Sequence, residues 1–229
     1  MNKLLDYDKM IFIITMGRSG SNMLVNTLNS IPTVKLKYEP PLGNWLNEKC
    51  RADRDIFEFW LSKHYDPSNS IGGCKVFMSH ITYYELDLEY FENVHPNAKF
   101  IFLYRDNILD QFISDNLAMI NELWAAEHPS QSGYKIDSFE LDPKKFKGHE
   151  GFIKDSWNKF THIIPRNHIT IRYEDFVQDI QGTFDNKIFE YLEVEPCKIH
   201  NPTYKQNLRT REESISNFED VKSVIAEYL

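Results

Sequence analysis

The sequence has few cysteines, no long apolar run and no excess of positive charge, and each absence argues against a class of protein. Its 229 residues include only three cysteines: Cys50, Cys74 and Cys197. Their number is odd and their spacing is wide, so they form neither the close pairs of a zinc site nor a disulfide framework. We therefore expect a protein of the reducing cytoplasm.

The apolar runs are all shorter than the roughly 18 residues that a membrane-spanning helix requires. The sequence starts with MNKLLDYDKM, which carries acidic residues before the first apolar run, unlike a signal peptide. From these two features we expect a soluble protein without a membrane span.

Acidic residues outnumber basic ones by 34 to 26, which gives a formal net charge of −8. This balance argues against non-specific nucleic-acid binding as a main function, because such binding needs a basic surface. It still permits a local basic site for a small anion. The hydrophobic content of 41% is enough for a full core, and the length fits one domain spanning residues 1–229.

Strand-like and helix-like segments alternate along the chain, a pattern typical of an α/β protein with a central parallel sheet. The predicted strands are Met10–Thr15, Thr33–Tyr38, Gly73–Phe77, Lys99–Tyr104 and His168–Arg172. The predicted helices are Ser21–Asn29, Arg54–His64, Asn107–Ala126, Phe152–Ile163, Thr183–Leu192 and Phe218–Leu229. The polar stretch 127–150 is long for an unstructured loop, so we predict that it is a lid or an interaction segment.

Polar and charged side chains follow each predicted strand, at the edge where ligands bind in open parallel sheets. They are Arg18, Ser19, Gly20, Ser21 and Asn22 after the first strand, Glu39 after the second, Ser79 and His80 after the third, Arg105 and Asp106 after the fourth, and Tyr173, Glu174 and Asp175 after the fifth. Two arginines, a histidine and a glutamate are thus expected on one rim. We interpret the Tyr173–Asp175 segment as structural.

The loop at 16–22 has the features of an anion site. It precedes a helix, whose first N–H groups and partial positive charge attract anions. Gly17 and Gly20 allow close approach of the backbone, and Arg18 adds a forked cationic donor. The loop lacks the Gly-Lys-Ser/Thr ending that manages a triphosphate and its magnesium ion. The loop therefore suits an anion other than the triphosphate of ATP or GTP.

Four ordered segments resemble the sulfotransferases that use 3′-phosphoadenosine-5′-phosphosulfate (PAPS). They are MGRSGSNML, IFLYRDNILDQFIS, IRYEDFVQD and YKQNLRTREESISNFEDV. The nine-residue spacing of Arg105 and Ser114 is similar to that of the bacterial branch, which includes trehalose and nodulation-factor sulfotransferases. The resemblance implies a P-loop-like three-layer α/β/α fold, PAPS as co-substrate and no metal. It also leaves a homodimer open, because that branch includes dimers.

The same resemblance assigns residues to the two ends of the nucleotide. At the 5′-phosphosulfate it implies Arg18, Ser19, Gly20, Ser21 and Asn22, with Arg18 stabilising charge on the leaving phosphate. At the 3′-phosphate it implies Arg105 and Ser114. It further suggests that Lys205, Arg209 or Arg211 closes over the nucleotide, although these cations could equally be solvated.

The acceptor hydroxyl must lose a proton, and Glu39 and His80 are the two candidates for the general base. Carbohydrate sulfotransferases resemble this chain in placing a glutamate after the second strand, so we favour Glu39. A structural role remains open for each: an ion pair of Glu39 with Arg18, or a backbone-bonded turn for His80. Lys75 is a candidate assistant.

These observations predict an enzyme that transfers a sulfuryl group from PAPS to a hydroxyl of a carbohydrate or small metabolite. Trp45, which follows Glu39, is a candidate surface for a sugar ring. Two alternatives stay open: a small-molecule kinase of P-loop type, and a non-catalytic module that binds a nucleotide.

Overall fold

The structure, a computed structural model, describes residues 10–40, 54–64, 71–124, 133–163, 165 and 167–229. Cys50, Trp45 and residues 125–132, which include the start of the predicted lid, lie outside the described residues. No helix in the described part of the chain is long and apolar enough to span a membrane.

One sheet of five strands forms the centre of the fold. The strands are Met10–Thr15 (β1), Val34–Lys37 (β2), Ile71–Phe77 (β3), Lys99–Tyr104 (β4) and His168–Arg172 (β5). All pairings are parallel, in the order β2-β3-β1-β4-β5. The chain runs from β1 towards one edge and later crosses to β4 on the other side of β1. The carboxyl end of β1 is therefore the switch point, where ligands bind in such sheets.

Helices cover both faces of this sheet, which gives three layers. They are Ser21–Leu28 (α1), Arg54–His64 (α2), Met78–Tyr83 (α3), Leu88–Val94 (α4), Ile108–Asn121 (α5), Pro143–Ile163 (α6), Tyr173–Gln178 (α7), Ile180–Thr183 (α8), Phe189–Leu192 (α9), Arg211–Ser214 (α10) and Phe218–Val221 (α11). A π-helical turn, Phe184–Ile188, joins α8 to α9, and a 3₁₀ turn spans Ala226–Tyr228. The predicted α/β/α class with a parallel sheet is confirmed.

Alternate side chains of β1 face two separate cores, which is why its sequence is apolar throughout. Phe12 and Ile14 pack in the core that contains side chains of α2 to α6. Ile11 and Ile13 pack in the core on the other face, with Leu24 of α1. A strand buried on both faces needs no polar alternation.

The predicted start of the helix at Phe152 was wrong, because α6 begins at Pro143. Proline is tolerated in a first helical turn, and the Asp142 carboxylate accepts the N–H of Lys144 at 2.8 Å, as an N-terminal cap does. Phe146 is fully buried one turn into this helix. The apolar face of α6 was not recognised in the sequence, because the buried Glu150 places a charged residue within it.

Other boundaries differ by smaller amounts. The segment predicted as one helix at Thr183–Leu192 contains the π-helical turn, and the last predicted helix is divided between α11 and the 3₁₀ turn. The short helices α3, α4, α7 and α10 were not predicted. They have four to seven residues each, too few for a clear helical period.

Candidate active site

The loop after β1 enters α1 through two residues with left-handed backbone. Arg18 has φ +60° and Gly20, the N-cap of α1, has φ +81°. Gly20 supplies no side-chain acceptor, and the first turn of α1 contains no acidic residue. The N–H groups at the start of this helix are therefore available to an external anion.

Gly20 is required by its neighbour as well as by its backbone angle. A β-carbon at this position would lie 2.3 Å from Cδ2 of Tyr173, which begins α7. The Tyr173 ring also lies under the guanidinium of Arg105, whose Cζ is 4.7 Å from the ring centroid. Tyr173 thus joins the loop to Arg105, a role in the site that the sequence interpretation missed.

The Arg18 side chain crosses the site and bonds to distant segments of the chain. Its Nε donates to Ser114 Oγ at 3.0 Å and its Nη1 donates to the Trp124 carbonyl at 2.6 Å. Its Nη2 donates to Gln206 Oε1 at 2.8 Å and to the Tyr134 hydroxyl at 3.3 Å. Burial lowers the pKa of Arg18. The structure therefore places this guanidinium beside Ser114, the residue expected at the other end of the nucleotide.

Arg105 lies between the loop and α5. Its Nη1 donates to the Arg18 carbonyl at 3.3 Å, and its Nη2 lies 3.6 Å from the Asp110 carboxylate. Its Nε is buried without a hydrogen-bond partner among the described residues. Arg105 as a residue lines the cavity.

Lys75 and Glu39 form an ion pair on the β2–β3 side of the site. Lys75 Nζ lies 2.8 Å from Glu39 Oε2 and also bonds to Asn22. The Lys75 side chain is 3% exposed, and burial lowers its pKa against the opposing effect of Glu39. Glu39 remains 40% exposed and so reachable from the cavity. The alternative pairing of Glu39 with Arg18 is not observed; its partner is Lys75.

His80 lies beneath the site rather than in it. The residue is 1% exposed, and its Nδ1 accepts the N–H of Phe77 at 2.9 Å. Burial lowers the pKa of His80 to about 4. At neutral pH the ring is therefore uncharged, and its proton is on Nε2.

Three cationic residues of the C-terminal segment line the same cavity, but they differ in their contacts and exposure. Arg209 pairs with Asp137 at 2.6 Å and with Glu213 at 3.8 Å. Arg211 forms a bidentate pair with Asp110, with distances of 2.6 and 3.1 Å. Lys205 is exposed on the cavity wall.

These groups line one cavity of about 990 Å³. It contains all the predicted site residues except Ser19 and His80. Ser19 is fully buried behind the loop, where Gln111 Nε2 lies 3.3 Å from its hydroxyl. Sequence reasoning missed two residues of α5. Gln111 contacts the loop, and Asp110 pairs with Arg105 and Arg211. Neither residue type by itself indicates these contacts. Among the described residues, no three His, Cys, Asp or Glu side chains are grouped as a metal site requires.

Comparison with known proteins gives the family. Residues 46–197, more than half of the chain, match the family described as Sulfotransferase family. The chain therefore belongs to the sulfotransferase family. This membership confirms the predicted enzyme class, a PAPS-dependent sulfotransferase. No curated protein matches the sequence.

Solved structures are similar to this chain at low identity. A sulfotransferase from Alicyclobacillus acidocaldarius has 14% identity and a TM-score of 0.55, over 95% of this chain and 91% of that chain. Mouse sulfotransferase SULT7A1 complexed with PAP has 18% identity and a TM-score of 0.49, over 83% and 61%. Sulfotransferase STF1 from Mycobacterium tuberculosis has 11% identity and a TM-score of 0.47, over 96% and 76%. The first of these likenesses establishes the shared fold.

Proposed function

We propose that this protein transfers a sulfuryl group from PAPS to a hydroxyl of a carbohydrate or small metabolite. The observation that carries the proposal is the meeting of the loop before α1 with Arg105 and Ser114 in one cavity. Donors for both ends of one nucleotide are thus adjacent. The volume of about 990 Å³ lies at the upper end of the range usual for small-molecule sites, about 300–1,000 Å³.

In this proposal the start of α1 holds the 5′-phosphosulfate. Gly20, Ser21 and Asn22 line the cavity, and so does Arg18, whose guanidinium extends across it to Ser114. Sulfuryl transfer leaves negative charge on the 5′-phosphate, and fixed N–H donors stabilise such charge without reorganising. Lys75, buried beside Asn22, adds a second cation at this point.

Arg105 and Ser114 are proposed to hold the 3′-phosphate. The position of Arg105 in the cavity wall supports this assignment, because a guanidinium there can form charge-assisted hydrogen bonds to a phosphate. Arg211 and Arg209 would approach the same phosphate from the C-terminal segment, with Lys205 at the cavity wall. Asp110, which pairs with both Arg105 and Arg211, would hold these two guanidinium groups in place.

Glu39 is the proposed general base. It is exposed to the cavity and oriented by Lys75 at 2.8 Å, so an acceptor hydroxyl can reach its carboxylate. His80 suits the role less well, because its Nδ1 is occupied by a backbone N–H and its ring is buried. A neutral histidine with its proton on Nε2 offers no second lone pair for proton removal.

The proposed acceptor is a hydroxyl of a sugar or a small polar metabolite. The rings of Tyr38 and Phe77 flank Lys75, with Nζ at 5.3 and 4.9 Å from their centroids. Aromatic faces beside polar groups suit the alternating surfaces of a sugar ring. We also propose that the protein belongs to the bacterial branch of carbohydrate sulfotransferases. We propose further that it is cytoplasmic.

A transfer assay tests this function directly. The protein is incubated with sulfur-labelled PAPS and a panel of sugars, glycolipids and small alcohols, and thermal shift is measured with adenosine 3′,5′-bisphosphate. We expect labelled product with one acceptor class and a raised Tm with the bisphosphate. Bisphosphate binding without transfer would instead favour a non-catalytic module, and magnesium-dependent consumption of ATP would favour a kinase.

A further inference from the structure

The loop that begins α1 is held from behind by a residue of α5. Gln111 is completely buried, and its Nε2 donates to the Gly17 carbonyl at 2.5 Å. The same nitrogen lies 3.3 Å from Ser19 Oγ. The next carbonyl, that of Arg18, accepts from Arg105 at 3.3 Å. Two successive carbonyls of the loop are therefore bonded by residues of the β4–α5 segment.

This contact fixes the direction of a loop N–H. In a planar trans peptide the carbonyl and the N–H point in opposite directions. Because Gln111 is buried, the Gly17 carbonyl points into the protein, and the N–H of Arg18 must point outwards. With left-handed backbone at Arg18 and Gly20, neighbouring N–H groups of such a loop form a concave anion site.

Gln111 makes the contact through Nε2 with some loss of protein stability, which arises from its amide oxygen. Its Oε1 is buried and has no hydrogen-bond partner among the described residues. A buried acceptor without a donor lowers stability, and an apolar side chain of the same length would avoid that loss. Glutamine at this position is therefore explained by what its Nε2 holds, not by packing.

We propose that Gln111 is a positioning residue that presets the phosphosulfate loop. The inference rests on the function proposed above. Gln111 lies on α5, the helix that also carries Ser114, and Arg105 precedes the same helix. The element that holds the 3′-phosphate thus also orients the donors for the 5′ end of the nucleotide.

The test separates the two ends of the nucleotide. Gln111→Met keeps the length of the side chain but removes both the donor and the unpaired oxygen. Binding of adenosine 5′-monophosphate, adenosine 3′-monophosphate and the 3′,5′-bisphosphate is measured by calorimetry. We expect affinity for the 5′-monophosphate to fall about tenfold, the scale of one lost hydrogen bond. Affinity for the 3′-monophosphate should stay within about twofold, with Tm unchanged or raised.

A second variant tests the hydrogen bond itself. In Gln111→Glu an ionised carboxylate would face the Gly17 carbonyl, whereas a protonated carboxyl would donate to it. Relative to the native protein at each pH, 5′-monophosphate binding should therefore recover as the pH is lowered. Asn116→Met is the control, because the Asn116 amide bonds to the Phe112 carbonyl of its own helix.

Three results would overturn the proposal. Equal loss of both monophosphates in Gln111→Met would mean that Gln111 supports α5 as a whole. Unchanged binding of all three nucleotides would mean that the loop holds its shape without it. Failure of the native protein to bind any of the three would reject the nucleotide function itself, a result independent of the variants.

Discussion

Arg18 and Ser114, which are 96 positions apart in sequence, are joined by a hydrogen bond of 3.0 Å from Nε to Oγ. Arg18 belongs to the loop before α1, and Ser114 belongs to α5. The bond therefore shows that the two ends of the expected nucleotide site face the same cavity. The bond also occupies a guanidinium N–H group that could otherwise donate to a ligand phosphate. Arg105 lines the same cavity, and it gives the sharpest test of the 3′-phosphate assignment.

Arg105→Ala should weaken binding of adenosine 3′,5′-bisphosphate by about 100-fold, the scale of a lost charge-assisted contact of about 2–3 kcal/mol. Binding of adenosine 5′-monophosphate should fall by about tenfold or less, through loss of the Arg105 contact with the Arg18 carbonyl. Calorimetry with both nucleotides measures the difference. Arg54→Ala is a matched control, because Arg54 pairs with Asp87 away from the cavity. Equal loss for both nucleotides would place the 3′-phosphate elsewhere.

Glu39→Gln should lower kcat by about 100-fold or more, the usual effect of removing a general base. The amide cannot take the acceptor proton, but it keeps the shape of the side chain beside Lys75. Bisphosphate binding should change little, since Glu39 is not assigned to the nucleotide. Steady-state kinetics and calorimetry on one preparation measure the two effects.

Glu193→Gln is the control for Glu39→Gln, because Glu193 forms a similar pair with Lys99 at 2.6 Å outside the cavity. It should leave kcat unchanged. A variant at Glu39 with near-normal turnover would remove this carboxylate from the mechanism.

Gly20→Ala should reduce stability and binding of adenosine 5′-monophosphate together. The new methyl group would lie 2.3 Å from the Tyr173 ring, at a residue whose φ is +81°. Left-handed backbone at a residue with a side chain costs about 1–3 kcal/mol. Urea denaturation and nucleotide calorimetry check the two effects.

Gly148→Ala is the natural comparison for Gly20→Ala, since a β-carbon there meets nothing within 4 Å and Gly148 lies inside α6. It should raise stability by about 0.5–1 kcal/mol, because alanine favours helix. Equal stability of both variants would contradict the close contact with Tyr173. Adding Tyr173→Ala to Gly20→Ala should recover the part of the loss that comes from the contact.

The two strands at the centre of the site, β1 and β4, could be predicted because their side chains are largely buried, which leaves a plain apolar pattern in the sequence. β1 and β4 were predicted with their observed bounds, and so was β5. The parallel arrangement of β1, β2 and β4 brings Arg18, Glu39 and Arg105 to one edge of the sheet, as expected from the sequence. The sequence could place these residues at the rim because each follows directly on a strand.

The directions of the side chains could not be predicted in the same way. Arg18 turns towards Ser114 because four acceptors from distant segments surround its guanidinium. Gln111 is found behind the loop because of the rotation of α5, which depends on packing of the whole core. A sequence pattern gives the face of a helix, whereas such contacts depend on several elements meeting at once.

His80→Gln should leave kcat within about tenfold of the native value and change the pH dependence of stability. The folded state lowers the pKa of His80 from its ordinary value of 6.5 to about 4. The unfolded chain therefore takes up the proton first, and stability present above about pH 6.5 is lost as the pH falls towards 4. The native protein should lose up to about 1.4 kcal/mol per pH unit from this group, and the glutamine variant should lose none of that part. Urea denaturation between pH 7 and pH 4 measures the slope, and nitrogen NMR of the imidazole follows its titration. A native ring that titrates near 6.5, together with a loss of turnover in His80→Gln, would return His80 to the role of general base.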